Sequence, residues 1–499
     1  MKKTARTYLA FDLGASNGRA VLGTLDRGHL SLKEIGRFPH NPVLFGKTLH
    51  WDFFHLWSRM IETLHACAKS GEHLSSVGVD TWGIDFAILA RDGSLLVPPV
   101  CYRDERTTGM ESFIAGQIPL DQFFRLCGQV PTRIMTLSQL LAFRRDAGPD
   151  ILSCAGRCLL MPDLFRYLLC GKMAAETTIA GTTQLFDIRT LRWSTTVINR
   201  FNLPRRLFPP LVQAGVFTGT LKPDLASTTG LGPVPVAAVA GHDTASAAAA
   251  APYAEKTDLF LSSGTWSVLG VMRKQPLLTE EARTAGFVNE PGFGTILFVK
   301  NLTGLYLVEN LKRAWAKKGP DISYAEMAAL AAAAKPFRFF VNMDAPVFFT
   351  ANDPEAAVKT FLQTTGQRGT PTKGELVRTL LESLAFSYRR TILDLERLTG
   401  GSFKRISLVG GGVNNNLLCG MTADATGLTV MAGPAEATAV GNLCIQAVAD
   451  GRLDGPADVR KTVAASFRPA VHQPRETAVW MRRFATYQNI IERTTTPRR

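Results

Sequence analysis

Across 499 residues the chain carries only 8 cysteines, too sparse for a disulfide-stapled scaffold. Cys154 and Cys158 are spaced as metal ligands can be, but no second cysteine pair or nearby histidine completes a set of four. They read as free thiols in a packed core. No apolar run approaches the roughly 18 residues that a bilayer span requires. The alanine-rich stretch Ala245–Ala251 is too short and its side chains too small. The opening MKKTARTYLAFDLG begins like a signal peptide, yet Asp12 cuts the apolar stretch short. The expectation is a cytoplasmic protein with no membrane partner. Histidine is scarce beyond His73, where only His242 and His472 remain, which argues against a histidine-rich metal site. No H-R-D or D-F-G triplet marks a protein kinase, and no serine sits in G-x-S-x-G. Gly46-Lys47-Thr48 ends like a P-loop, but Asn41 stands where its first glycine belongs.

What is present describes a globular protein of several domains. Apolar residues make up 46% and charged residues 20%, ordinary values that exclude wholesale disorder. Fifty-six basic against 42 acidic side chains give a formal charge of +14, which raises the question of a nucleic-acid partner. The positives are dispersed and nowhere interleaved with aromatics, so nucleic acid is not the expected partner. A mainly solvated surface whose field favours small anionic substrates fits better.

Strand-like and helix-like segments alternate through the first third, the pattern of an α/β domain. Tyr8–Phe11 and Arg19–Leu25 flank a small polar turn and read as a hairpin. Trp51–Cys67 has helical periodicity, with Phe54, Leu56, Trp57, Met60, Ile61 and Leu64 on its apolar face. Ser76–Asp80 and Ile84–Leu89 read as strands. A second domain is expected from about residue 253, dividing the chain into 1–252 and 253–499. Sliding the sequence by 250 residues lays YLAFDLGASNGRAVL over DLFLSSGTWSVL, with Gly14 on Gly264, as a duplicated strand–turn–strand unit would. Further on, Glu375–Thr399 is a strong helical pattern stopped by Gly400. The strand Arg405–Val409, the turn Gly410–Gly412 and a helix from about Asn415 to Thr426 follow. Val479 to Ile491 predicts a last helix, ahead of a frayed TTTPRR end.

Four segments carry the pattern of chemistry. In Asp12-Leu-Gly-Ala-Ser-Asn-Gly-Arg19, a strand delivers a carboxylate to a turn whose backbone N–H groups can approach an anion. Asp12 could there hold a hydrated Mg²⁺ between phosphates. A plain hairpin around Asn17-Gly18 is the simpler alternative. Ser262-Ser263-Gly264-Thr265 is a second hydroxyl-rich turn, also compatible with a hairpin. Gly410-Gly411-Gly412 lets a flat ring or a phosphate lie against the backbone, though Asn415 breaks the dinucleotide spacing. Gly241-His242-Asp243-Thr244 joins a small-residue strand to an alanine-rich helix. Asp243 would lie near a helix N-terminus, able to act as a general base or simply as an N-cap. Asp80-Thr-Trp-Gly-Ile-Asp85 offers carboxylates beside an aromatic face, suited to a polyol. Tyr102-Arg-Asp-Glu-Arg106, dense in charge, could also meet a substrate, with a solvated turn as the simpler reading.

In order, FDLGASNGRAVLG, VGVDTWGIDFAIL, YRDERT, AGHDTASA, LSSGTWSVLG, KNLTGLYLVEN, SLVGGGVNNNLLCGMTADATG and EATAVGNLCIQA resemble the FGGY carbohydrate kinases over nearly the whole chain. DTWGID and YRDERT are similar to the branch acting on L-rhamnulose. The resemblance implies two actin-like, ribonuclease-H-like α/β ATPase domains flanking a cleft, with ATP and a ketose as small-molecule substrates. It implies transfer of the γ-phosphoryl group to the C1 hydroxyl, with L-fuculose or L-xylulose as other acceptors and an actin-like ATP switch as the rival class. Asp243 would be the catalytic base and Asp12 would hold Mg²⁺ through water. Ala15, Ser16, Asn17, Gly18, Arg19, Thr265, Glu309 and Gly411 would meet the nucleotide. Gly83, His242, Asp243, Thr244 and Asn301 would meet the sugar. Glu309 departs from the glutamine usual in the family, and a carboxylate there would repel phosphate unless it turned to a ribose hydroxyl.

Overall fold

The computed structural model describes residues 5–253 and 255–495. The chain forms two compact units. One holds Met1–Ala250, Met272–Phe298 and Ala437–Phe467; the other holds Ala251–Val271, Val299–Glu436 and Arg468–Arg499. The division at 252/253 is a single cut, whereas the chain returns twice to the first unit.

The first unit is built on a six-stranded sheet. Its elements are β1 (Arg6–Leu13), β2 (Asn17–Asp26), β3 (His29–Pro39), α1 (Phe53–Lys69), β4 (Leu74–Thr81), β5 (Phe86–Ala90), β6 (Val216–Thr220), β7 (Pro235–Ala238) and α2 (Asp243–Ala249). The sheet order is β6-β7-β4-β1-β2-β3. β1, β4 and β7 run parallel, with antiparallel β2 and β6 on either side. β1 is buried on both faces, which accounts for its nearly unbroken apolar run Tyr8–Phe11. α1 covers one face. Asp52 caps it by accepting from His55 N, and Phe53, Leu56, Met60 and Leu64 join the core around Leu9 and Phe11. Phe54 was expected on that apolar face but is exposed, one position round the helix from the buried Phe53. Helix Ala437–Ala449 packs along β1 and β4, where Gln446 donates to the Leu9 carbonyl. Gly78 makes the approach possible, since a Cβ there would come within 2.6 Å of Asn442 Oδ1. β5 belongs to a separate three-stranded sheet, so the strands expected on either side of Trp82 are split between two sheets.

The second unit repeats the plan. Its elements are β8 (Asp258–Ser263), β9 (Trp266–Arg273), α3 (Tyr306–Ala316), α4 (Lys373–Thr399), β10 (Arg405–Val409), α5 (Asn416–Thr426), β11 (Thr429–Ala432), β12 (Ala470–His472) and α6 (Thr477–Thr495). β8, β10 and β11 run parallel, with antiparallel β9 and β12 on either side. The hairpins β1–β2 and β8–β9 each begin with a strand that pairs in parallel with a later one, the topology of a duplicated unit. In the turns, Gly14 N donates to Asn17 O and Gly264 N to Trp266 O. α4 opens with a capping box of Thr372 and Glu375 and closes at a left-handed Gly400. The final helix continues to Thr495, beyond the expected start of fraying, and 496–499 lie outside the described residues.

Candidate active site

In the first unit, three carboxylates stand at the carboxyl ends of three adjacent parallel strands. Asp12 ends β1, Asp80 ends β4 in register beside it, and Asp243 follows β7. The Thr81–His242 bridge and the bond from Thr81 N to Gly241 O hold the last segment to β4. Ligands of open α/β sheets bind at such strand ends. Arg19 faces Asp12 across the hairpin, and its Nε and Nη2 both reach Asp12 Oδ2 at 2.8 Å. Asp80 is fully buried and accepts from Asn442 at 2.6 Å. Its carboxyl is held well above the usual carboxylate range, first by burial and then by the charge of Asp12.

Asp243 is the first residue of α2, and His242 takes the N-cap position without a side-chain capping bond. The carboxylate therefore is not the N-cap considered from sequence. It turns back on Thr244, accepting from its N–H at 2.6 Å and its hydroxyl at 3.2 Å. Its pKa is pushed up to about 7, first by burial and then by Asp12, against the pull of the Thr244 bonds. The side chain nevertheless keeps 31% exposure, so a solute can reach it. Behind it, buried Glu176 accepts from Gly241 N at 2.9 Å and from Thr178 and Ile179, fixing the end of the strand.

The hairpin turn consists of Ala15 and Ser16. Asn17-Gly18 begins β2 and is not the turn pair. His40 Nε2–H donates to the Gly14 carbonyl at 2.7 Å, and the His40 ring stacks on Trp82 at 5.5 Å. Trp82 in turn lies 4.2 Å from Trp51. Below the indoles, buried Asp85 collects four donors: Trp51 Nε1 at 2.5 Å, Trp82 Nε1 at 3.0 Å, Gln139 Nε2 at 2.8 Å and Tyr102 N at 3.4 Å. Gly83 sits between this hub and Ile84, whose φ of 70° is unusual for a β-branched residue. That conformation is held from both sides: Ile84 N donates to Thr182 Oγ1, and Thr136 Oγ1 donates to the Ile84 carbonyl. Backbone strain fixed by its surroundings is a mark of functional sites. Tyr102–Arg106 is solvated only in part, at Arg103 and Glu105. Asp104 is buried and accepts from Leu49 N, and Arg106 donates to Gln139, whose amide bonds Asp85.

In the second unit, Thr265 follows the end of β8 and donates its hydroxyl to Glu309 of α3, at 2.8 and 3.1 Å from the two carboxylate oxygens. Arg313 lies 3.7 Å from the same carboxylate. The hydroxyl proton is thus engaged by Glu309. Beside it, the exposed Trp266 stacks with Tyr306 and Phe349. The glycine turn divides in its duties. A Cβ at Gly412 would lie 2.2 Å from Ser263 Oγ, and Gly410 has a φ of +84° hard against the Ser263 carbonyl, whereas Gly411 faces open space. Asn415 caps α5 by accepting from Leu418 N. Asn301 is exposed on the strand Thr295–Thr303.

The structure therefore brings Asp12, Ala15 to Arg19, Gly83 and His242 to Thr244 to strand ends and turns of the first unit. It places Thr265, Glu309, Gly411 and Asn301 in the second. Sequence reasoning missed the roles of Asp85, Gln139 and Glu176, which appear only once the chain is folded. Among the described residues, no group of three or more metal-ligating side chains could hold a metal ion, and no helix is long and apolar enough to cross a membrane. Mg²⁺ needs less than such a group, because it keeps several waters and takes one or two carboxylates with substrate phosphates. Asp12 suits that mode by its chemistry: it is a carboxylate at a strand end next to the Ala15–Ser16 turn, in register with Asp80.

Residues 7–250 match the N-terminal domain, and 259–449 the C-terminal domain, of the FGGY family of carbohydrate kinases. A rhamnulokinase from Bacteroides thetaiotaomicron is 37% identical over 97% of this chain and 99% of its own. One from Oceanobacillus iheyensis is 32% identical over 92% and 96%. In fold, the chain matches a gluconate kinase from Lactobacillus acidophilus with a TM-score of 0.81 over 98% of both chains at 14% identity. With both family domains matched and the strand-end carboxylates in place, the chain belongs to the FGGY family of carbohydrate kinases.

Proposed function

We propose that the chain is an ATP-dependent kinase for L-rhamnulose, forming L-rhamnulose 1-phosphate and ADP. The carrying observation is Asp243: a carboxylate with a raised pKa that solute can reach, at a strand end beside the Asp12–Arg19 turn. The choice of ketose is supported by rhamnulokinase relatives that align along nearly the whole chain.

The C1 oxygen attacks the γ-phosphorus, the bond to the β–γ bridging oxygen breaks, and ADP departs. Asp243 orients the hydroxyl and takes its proton as the new bond forms. With a pKa near neutrality, it is ionised in part at working pH yet basic enough to receive that proton. The transition state of phosphoryl transfer is loose, so alignment and charge stabilisation do most of the work. N–H groups of Ala15, Ser16, Asn17 and Gly18 and the Arg19 guanidinium would meet the phosphates. Asp12 would hold Mg²⁺ through water, the ion supplying neutralisation of phosphate charge. Residues 253–499 would bind the nucleotide with Thr265, Glu309 and Gly411, and residues 1–252 the ketose with Gly83, His242 and Thr244; Asn301 would join them. A cytoplasmic location suits ATP as donor.

The test is ADP production from Mg²⁺-ATP with L-rhamnulose, L-fuculose, L-xylulose, D-xylulose and glycerol. L-rhamnulose should give the highest kcat/KM. Asp243→Asn should lower kcat by about 10²- to 10⁴-fold with the ATP KM little changed. A preference for another acceptor would refute the substrate. Full activity in Asp243→Asn would refute the base.

A further inference from the structure

The His242 ring lies between two carboxylates. Its Nε2 is 3.6 Å from Asp243 Oδ1, and its Nδ1 is 3.5 Å from Glu290 Oε2. The ring keeps 12% and the Glu290 side chain 9% of their exposure. Nδ1 is buried without a hydrogen-bond partner. An unsatisfied buried ring nitrogen beside a buried carboxylate is costly to maintain and calls for a physical reason.

Glu290 is delivered from far along the sequence, on the strand Val288–Gly292, and is anchored on both sides. Asn289 N donates to the Gly128 carbonyl at 2.8 Å, and the Asn289 side chain bonds both the N–H and the carbonyl of Leu277. On the other side Pro291 packs so closely on Gly181 that a Cβ there would fall 2.1 Å from its Cδ. The backbone that carries Glu290 is thus pinned on both sides, and the side chain itself is 9% exposed, so its place beside Nδ1 is set by the fold.

We propose that Glu290 is a positioning residue for the ketose site: it takes the Nδ1–H of His242 as a hydrogen bond and so fixes the ring's tautomer and orientation. Nε2, next to the base Asp243, is then an acceptor for a sugar hydroxyl neighbouring the one that reacts. The 3.5 Å contact closes to hydrogen-bond length when the ketose fills the site, as contacts at reacting centres do on substrate binding. A neutral imidazole has one donor and one acceptor, and the partner of one nitrogen decides the role of the other. The inference rests on the reading of His242 as a ketose contact.

The experiment begins with the wild-type acceptor panel. Turnover on no ketose would defeat the functional reading itself, whatever Glu290 does. Given ketose turnover, Glu290→Ala should raise the ketose KM on the order of ten- to a hundredfold and leave the ATP KM within about twofold. Glu290→Gln, whose amide oxygen still accepts from Nδ1–H, should recover to within about threefold of wild type. Glu290→Ala combined with His242→Ala should do no more harm than His242→Ala alone. If Glu290→Ala does not fold, Glu290→Met is read in its place. Nitrogen-15 histidine spectra of the wild type with ketose should put the His242 proton on Nδ1. A ketose KM unchanged in Glu290→Ala, equal rises in both KM values, multiplicative losses in the double variant, or a proton on Nε2 would each overturn the proposal.

Discussion

Asp85→Asn should separate stability from function. Burial lifts the Asp85 carboxyl to about 6 from its ordinary 3.8, against the opposing pull of its four donors. Because the folded pKa exceeds the unfolded one, the protein loses stability from this group as pH rises from about 4 through 6. The full loss is about 3 kcal/mol above that range. Asparagine carries no such cost, but it breaks a bond. Its carbonyl can keep Trp51, Trp82 and Tyr102, which share Oδ2. Its amide must then face the Gln139 amide, whose own oxygen is engaged by Arg106 at 2.9 Å. An opposed buried donor pair costs about 1–3 kcal/mol.

The two effects nearly cancel at pH 7.5 and do not at low pH, where wild-type Asp85 is protonated when folded. Between pH 4.5 and 7.5 the stability of Asp85→Asn relative to wild type should improve by about 2 kcal/mol, or about 4–8 °C in Tm. Function moves the other way. Asp85 holds Trp82 beside Gly83 and the strained Ile84, so a small shift there should raise the ketose KM by about tenfold or more while sparing the ATP KM. Thermal melts at the two pH values and steady-state kinetics read both. A Tm difference independent of pH, or an unchanged ketose KM, would refute the reasoning.

The glycine turn offers a paired test. Gly412→Ala meets Ser263 at 2.2 Å and should lose about 1–3 kcal/mol of stability, whereas Gly411→Ala points into open space and should keep the wild-type Tm while raising the ATP KM; equal melting of the two would contradict the packing. Glu309→Gln retains an acceptor for the Thr265 hydroxyl but removes a negative charge near the expected phosphates. Its ATP KM should fall about two- to fivefold, equivalent to about 0.5–1 kcal/mol, and a rise would show that the nucleotide contact at this position needs the charged carboxylate.

What was legible in the sequence was local. The β1–β2 and β8–β9 turns, the Glu375–Thr399 helical pattern with its stop at Gly400, and the position of Asp243 at the start of α2 follow from neighbours within a few residues. Even the 250-residue offset was readable, since each half repeats a local pattern. The failures have one physical cause. Phe53 and Phe54 are adjacent and equally apolar, and periodicity alone allowed either to face the core. Tyr102–Arg106 looked solvated because its partners Leu49 and Gln139 lie more than thirty residues away on either side. Asp85 reads from sequence as a carboxylate offered to a polyol, yet it is buried, and three of its four donors come from three other, distant stretches of chain. Glu290 had no signature at all, because its meaning depends on a strand from the second half of the sequence folding into the first unit. The residues that position the chemistry are therefore hidden more deeply than those expected to perform it. A base or a phosphate turn is specified by its own backbone, while the groups that fix its geometry are specified only by contact.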